Sequence, residues 1–147
     1  MYTLYLSPGT CSLATHVLMN ELNLTVHLIE KSKVDKFENI NPADTVPVLG
    51  FDKTLIQEGA AMALFLMEKH KSNLLLDAAE SRSTAIQWMM FANASADIML
   101  SVYANWNNYF PEKIQFEGSS RRMIKEVSSR DAFKKSIQTE KIKFSVQ

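Results

Sequence analysis

The order of secondary-structure signals in the first half of the chain is the feature that most restricts its fold. Residues 2–6 and 25–29 are rich in aromatic, aliphatic and β-branched side chains, as strands are, and the apolar residues between them recur at helical spacing. Strand, helix and strand within about thirty residues form a βαβ unit, whose two strands are parallel. The first half of the chain is therefore predicted to be an α/β domain.

Two more strands and a buried helix complete this predicted domain. Residues 46–51 and 55–56 are strand-like and are separated by turn residues at 52–53, which is the pattern of a β-hairpin. Residues 59–70 are apolar on nearly all sides and predict a buried helix. With a short irregular helix expected within 34–38, the element order is βαβαββα, a mixed sheet with helices on its faces.

The second half of the chain is predicted to be helical. Apolar and aromatic residues dominate it, and Gly118 opens its last helical stretch. The boundary between the halves falls within 71–77. We therefore expect an α/β domain over 1–75, followed by an all-α domain over 78–147.

Composition argues against several kinds of partner. The 16 basic residues balance the 16 acidic ones, so net charge gives no reason to expect nucleic acid or an anionic membrane. The basic stretch 121–147 lacks the interleaved aromatic residues of a nucleic-acid site and is interpreted as a solvated face. No apolar run approaches the roughly 20 residues of a membrane span. The single cysteine excludes a disulfide within the chain and favours the reducing cytoplasm. The three histidines are scattered and lack the spacing of metal ligands.

Cys11 is the residue whose position points most directly to chemistry. It follows a Pro-Gly turn at the predicted start of the first helix, where unpaired N–H groups and the helix dipole favour negative charge. A thiol there is expected to ionise more readily than a free one. Ser12 could donate a hydrogen bond to the sulfur anion. The alternative is a small packed cysteine, since free Cys is often buried.

Two other positions could contact a ligand through the backbone. Pro47 opens a strand, and a cis bond there would expose the backbone of Val46, whereas a trans Pro at an edge strand would have no such role. Gly59 opens the buried helix, whose first N–H groups could bind a carboxylate, while Glu58 could pair with an ammonium group or simply complement the helix dipole. Together with Cys11, these positions would suit an extended peptide that contains cysteine.

Three segments, in this order, resemble the bacterial glutathione S-transferases, and most closely their beta class. They are residues 5–13 around Cys11, Asn41-Pro42 leading to Val46-Pro47-Val48-Leu49, and Glu58-Gly59-Ala60-Ala61. The resemblance covers residues 1–77. It implies a thioredoxin-like domain that binds glutathione, a cis bond before Pro47, and a transferase that works as a homodimer.

The resemblance also implies roles for individual residues. Cys11 matches the family's reactive cysteine, and with Ser12 it would form the catalytic pair. Val46 matches the residue whose backbone pairs with the cysteine of glutathione. The implied glutathione-binding residues are Val46, Pro47, Glu58 and Gly59. Lys36, or alternatively Lys33, could also contact glutathione from the loop after the second strand, although neither lysine matches a particular residue of the family. Many relatives have Ser or Asp where Gly59 stands, so only the backbone N–H is kept at this position.

The second half of the chain departs from the family. Residues 86–88 look like the first long helix of the family's helical domain, whereas 96–100 look like the start of a later helix and 130–140 like the last one. The simplest explanation is an internal deletion near 92–94. In the family, the missing helices supply dimer contacts and much of the wall around the second substrate.

Three functions are compatible with this resemblance. The first is a glutathione transferase that joins the glutathione thiol to small electrophiles. The second is a glutathione-dependent thiol oxidoreductase, in which Ala14 stands where a resolving cysteine would be, so an external thiol would supply electrons. The third is a glutathione-binding module that has lost its acceptor pocket. We take the first as the prediction.

Overall fold

The computed structural model describes residues 1–75, 77–93 and 118–143. Its strands and helices are β1 (Tyr2–Leu6), α1 (Ser12–Glu21), β2 (Val26–Glu30), β3 (Val48–Phe51), β4 (Thr54–Gln57), α2 (Gly59–Lys69), α3 (Ala79–Phe91), α4 (Gly118–Ser129) and α5 (Asp131–Thr139). The expected deletion and the later helix that we expected at 96–100 concern a stretch largely outside these residues. None of the described helices combines the length and the apolar character that crossing a bilayer requires.

The short irregular helix expected around 34–38 is a 3₁₀ turn at Phe37–Asn39, and a second 3₁₀ turn lies at Lys31–Lys33. The turn starts later than expected because Lys36, its N-cap residue, has a φ of 53° in the left-handed region, which no right-handed helix can include. The connection between β2 and β3 is therefore mostly irregular.

The four strands form one mixed sheet in the order β2-β1-β3-β4. β1 and β2 are parallel, and the other two pairs are antiparallel, as the sequence predicts. Tyr5 pairs with both Ile29 and Val48, and Val48 pairs with Gln57. The last residues of β1, β2 and β4 and the first residue of β3 thus meet at one end of the sheet, which we call the Leu6 end.

The core lies between the sheet and the helices α1 and α2. Alternate residues of β1 are buried, as the two-residue period of a strand requires. α2 buries one side, while Ala61 and Glu68 are exposed, so the helix is less enclosed than its apolar sequence predicts. The members of this core with at most 2% exposure are Leu4, Leu6, Met19, Leu49, Met62 and Leu66.

The last described helix, α5, packs on α1. Phe133 and Ser136 of α5 are buried. The amide of Asn20 donates a hydrogen bond to the hydroxyl of Ser136 at 2.8 Å. The C-terminal part of the chain is thereby attached to the helix that begins after Cys11.

Candidate functional site

Cys11 is the N-cap residue of α1 and is only partly buried. Its thiol donates a hydrogen bond to the carbonyl oxygen of Val46, with Sγ and O 3.3 Å apart. The peptide bond between Val46 and Pro47 is cis, as the resemblance implies. The sulfur therefore lies against the backbone that precedes β3, and the alternative of a fully packed cysteine does not describe it.

Ser12 lies beside Cys11 in sequence, but its hydroxyl forms hydrogen bonds within the loop of residues 7–12. The side chain is fully buried. Its Oγ donates to the carbonyl of Ser7 at 3.0 Å, accepts from the Ser7 N–H at 3.3 Å and lies 2.9 Å from the hydroxyl of Thr10. Because these partners occupy the hydroxyl, the geometry favours a role in bracing the loop that carries Cys11 over donation to sulfur.

Val46 offers a short piece of backbone outside the sheet. β3 begins two residues later, and within the part of the chain that the structure describes the Val46 N–H makes no hydrogen bond. Its carbonyl accepts the thiol of Cys11, the one hydrogen bond to this oxygen from the described residues. Because a carbonyl oxygen has two lone pairs, the N–H and the C=O of this residue can still pair with an extended peptide as a neighbouring strand would.

Asn41 holds the loop that leads to Val46, a role that the sequence analysis missed. Its side chain is 1% exposed. The amide donates to the carbonyl of Thr45 at 2.8 Å and accepts from the N–H of Ala43 at 3.1 Å. The sequence does indicate a turn at this place, since Asn followed by Pro42 is typical of a turn.

Glu58 and Gly59 open α2 at the same end of the sheet. Glu58 has a φ of 69°, which is unusual for a residue with a Cβ, and such backbone strain is concentrated at functional sites. Its carbonyl accepts the N–H of Met62 at 3.0 Å, while no side chain caps the first N–H groups of α2. These N–H groups are therefore oriented as an anion site would need.

The nearest atom to the missing side chain of Gly59 belongs to Asn93. A Cβ at this position would lie 3.0 Å from Oδ1 of Asn93, near the end of α3. A larger residue at this position would require the side chain of Asn93 to shift slightly. The backbone N–H remains the group that Gly59 can offer to a ligand.

The lysines near the Leu6 end differ in their partners. Lys31 forms an ion pair with Asp44 at 2.9 Å, and Lys33 forms one with Glu30 at 2.9 Å. Lys36 is exposed, and within the described ranges it has no charged partner. Lys36 is thus a better candidate than Lys33 for contact with a ligand.

Strand register brings these positions together. Cys11 and its loop follow β1, Pro47 directly precedes β3, and Glu58 directly follows β4. Because Val48 pairs with both Tyr5 and Gln57, all three segments lie at the Leu6 end. The result, among the described residues, is a thiol, a backbone N–H without a hydrogen-bond partner at Val46 and a helix start without a side-chain cap, all along one edge.

Comparisons with known proteins were made for the whole chain. No family model matches it. It is 31% identical over 97 residues to glutathione S-transferase GST-4.5 of Xanthomonas campestris pv. campestris, a match that covers 62% of this chain and 48% of that protein. It is 32% identical over 98 residues to glutathione S-transferase GstA of Escherichia coli O157:H7, with 60% and 49% covered. The chain thus spans about half the length of the curated relatives it matches.

Among solved structures, the fold is similar to that of a glutathione transferase homologue from Burkholderia with bound glutathione. The TM-score is 0.67 at 13% identity, and the match covers 95% of this chain and 97% of that one. The fold is therefore that of the glutathione S-transferases, a thioredoxin-like domain with a helical domain. The resemblance to the bacterial members of that family is confirmed.

Proposed function

We propose that the Leu6 end binds glutathione and that the chain is a glutathione transferase acting on small electrophiles. The observation that carries the proposal is the contact between the Cys11 thiol and the Val46 carbonyl, at the edge where an extended peptide can pair. The similarity to bacterial glutathione S-transferases and to a structure with bound glutathione supports the choice of ligand.

The site offers one group for each part of the tripeptide. The N–H and C=O of Val46 would pair with the backbone of its cysteine, which places the glutathione sulfur near Cys11. The N–H groups at the start of α2 would receive the carboxylate of the γ-glutamyl end, and Glu58 would pair with its ammonium group. Lys36 would contact the remaining carboxylate from the turn after β2.

Catalysis would then depend on positioning the sulfur of glutathione and stabilising its thiolate form. Cys11 precedes the first turn of α1, whose N–H groups and dipole favour negative charge. The glutathione sulfur, held at the same place, would attack the electrophile while the leaving group departs. We also propose that the chain works in the cytoplasm as a homodimer.

Conjugation of glutathione to a chloronitrobenzene tests this function. We expect turnover by the full chain, and its loss or alteration in Cys11→Ala. Reduction of a glutathione mixed disulfide with little conjugation would favour the oxidoreductase instead. That candidate is supported by the accessible position of the one cysteine, which is the residue that would carry the exchange. Binding of glutathione without turnover would favour the third function, a glutathione-binding module that has lost its acceptor pocket.

Replacing Glu58 with Gln is expected to weaken glutathione binding by roughly tenfold, because the ammonium group of glutathione loses a negatively charged partner and keeps only a neutral amide oxygen as acceptor. The side chain is exposed, so folding stability should change little. Titration calorimetry with reduced glutathione gives the affinity, and Glu126→Gln, an exposed acid of α4, is the matched control. Equal affinities for the two variants would exclude the role of Glu58.

A further inference from the structure

A lysine directly after β2 is bound to the turn that leads to Val46. Lys31 Nζ donates a hydrogen bond to the carbonyl oxygen of Asp44 at 2.5 Å and lies 2.9 Å from the carboxylate oxygen Oδ2 of the same residue. Its ammonium group also lies over the ring of Phe37, 5.5 Å from the centroid. One side chain thus connects the end of β2 to a loop that is thirteen residues further along the chain.

The ring beneath Lys31 is itself fixed to the sheet. Phe37 is 3% exposed, and its ring packs edge-on against Tyr5 of β1 with the centroids 5.8 Å apart. Tyr5 pairs with Val48, the first residue of β3. Because the face of an aromatic ring attracts an ammonium group, Phe37 restricts where Nζ of Lys31 can lie. The sheet therefore helps to set the position of this ammonium group.

Asp44 has a backbone conformation that requires support from its surroundings. Its φ of 52° lies in the left-handed region, which Asp adopts less readily than Gly. The N–H of Asp44 donates to the carbonyl of Asn41 at 2.8 Å, and Lys31 binds its carbonyl from the other side. Val46 follows two residues later, so the direction of the chain at Asp44 decides where the N–H and carbonyl of Val46 lie.

We infer that Lys31 is a positioning residue for Val46. Held over Phe37, its ammonium group keeps Asp44 in the left-handed conformation, and this keeps the Val46 carbonyl 3.3 Å from the Cys11 sulfur. The inference rests on the proposed function only for the role that it gives Val46 in binding glutathione. Lys31 itself is not expected to touch glutathione, because its ammonium group is already bound to Asp44.

Lys33 provides the matched control for a general effect of charge. It belongs to the same 3₁₀ turn, Lys31–Lys33, and pairs with Glu30 at 2.9 Å, a contact that does not reach the turn before Val46. Lys31→Met and Lys33→Met remove the same charge and keep an apolar side chain of similar length. An effect of charge would appear in both variants, whereas an effect of holding Asp44 would appear in Lys31→Met alone.

Alkylation of the full chain by iodoacetamide, followed by intact mass, reports the contact between Cys11 and Val46, because Cys11 is the single cysteine. In folded Lys31→Met we expect alkylation at least about threefold faster, since a thiol that no longer donates to the Val46 carbonyl ionises more readily. Hydrogen exchange in residues 43–46 should also accelerate. Lys33→Met should stay within about 1.5-fold of the wild type in alkylation, because an exposed ion pair contributes little.

Replacing Asp44 with Gly separates positioning from a merely structural role of Lys31. Gly adopts a positive φ without steric cost, so Asp44→Gly alone and the double variant with Lys31→Met should both alkylate within about 1.5-fold of the wild type. Lys31→Arg, whose guanidinium can donate to both oxygens of Asp44, should also keep the wild-type rate. An unchanged rate in Lys31→Met, equal acceleration in Lys33→Met, or a double variant as fast as Lys31→Met would overturn the inference. These readouts do not use glutathione, so a failure of glutathione binding would contradict the proposed function alone.

Discussion

Incubation with oxidised glutathione is expected to add one glutathione to the folded chain and none to its Cys11→Ser variant. The sulfur of Cys11 would attack one sulfur of the bound disulfide, forming the mixed disulfide while the other half leaves as a glutathione thiolate. Because bound glutathione places its sulfur beside the thiol, the reaction should be faster in the folded than in the unfolded chain. Intact mass measures the adduct.

Two controls make this result specific. Glu58→Gln keeps the cysteine but loses the proposed ammonium partner, so it should form the adduct more slowly at low concentrations of oxidised glutathione. The chain unfolded in urea reports the reactivity of the same thiol without a site. No adduct on the folded chain, or equal rates when folded and unfolded, would contradict the proposed binding of glutathione at Cys11.

Truncation of Leu49 to Ala is expected to cost about 2–5 kcal/mol of unfolding free energy, a large share of the roughly 5–15 kcal/mol of a typical domain. Leu49 is 0% exposed and lies in β3, paired with Leu4 and Ile56. Its loss leaves a cavity under the central strands, which hold the Leu6 end in place. Urea unfolding followed by circular dichroism measures the change.

Leu55→Ala is the matched control, since Leu55 lies in the neighbouring edge strand β4 and is 47% exposed. About half of Leu55 is exposed to water already, so we expect a loss below about 1 kcal/mol. Equal losses for Leu49 and Leu55 would mean that the core does not lie where the structure places it.

The fold of the first half was predictable because the local preferences of its sequence agree with the elements of the tertiary structure. Strand composition, helical spacing and the turn at 52–53 each describe an element that the sheet then uses. The bounds of the short helix around 34–38 were less predictable, because a left-handed Lys36 delays its start to Phe37 and no residue preference requires a lysine to adopt that conformation. Backbone choices of this kind are made by the tertiary structure.

The positions of the candidate residues were predictable where they lie in short motifs, while their roles in binding stay predictions. Val46, Pro47 and Gly59 were identified by their places at strand and helix starts, and the structure puts them at one end of the sheet. The contacts of the buried Glu140 were not predictable, because its partners His16 and Gly9 lie more than a hundred residues away in sequence. No local pattern reports a contact of that range.

Ser12 shows a different limit of the sequence. Its place beside Cys11 suggested donation to the sulfur, yet its hydroxyl is occupied by Ser7 and Thr10. A hydroxyl in a tight turn has backbone partners within reach, and these compete with any ligand. The role of Ser12 in catalysis stays a prediction, and Ser12→Ala should affect the loop as well as any reaction.

A crystal structure of the full chain with reduced glutathione tests the central proposal most directly. We expect the cysteine of glutathione to pair through its backbone with the N–H and C=O of Val46, its sulfur to lie beside Cys11, and its γ-glutamyl end to contact Glu58 and Gly59. Glutathione bound away from the Leu6 end, or a Val46 N–H that is paired with the chain itself, would contradict the proposal.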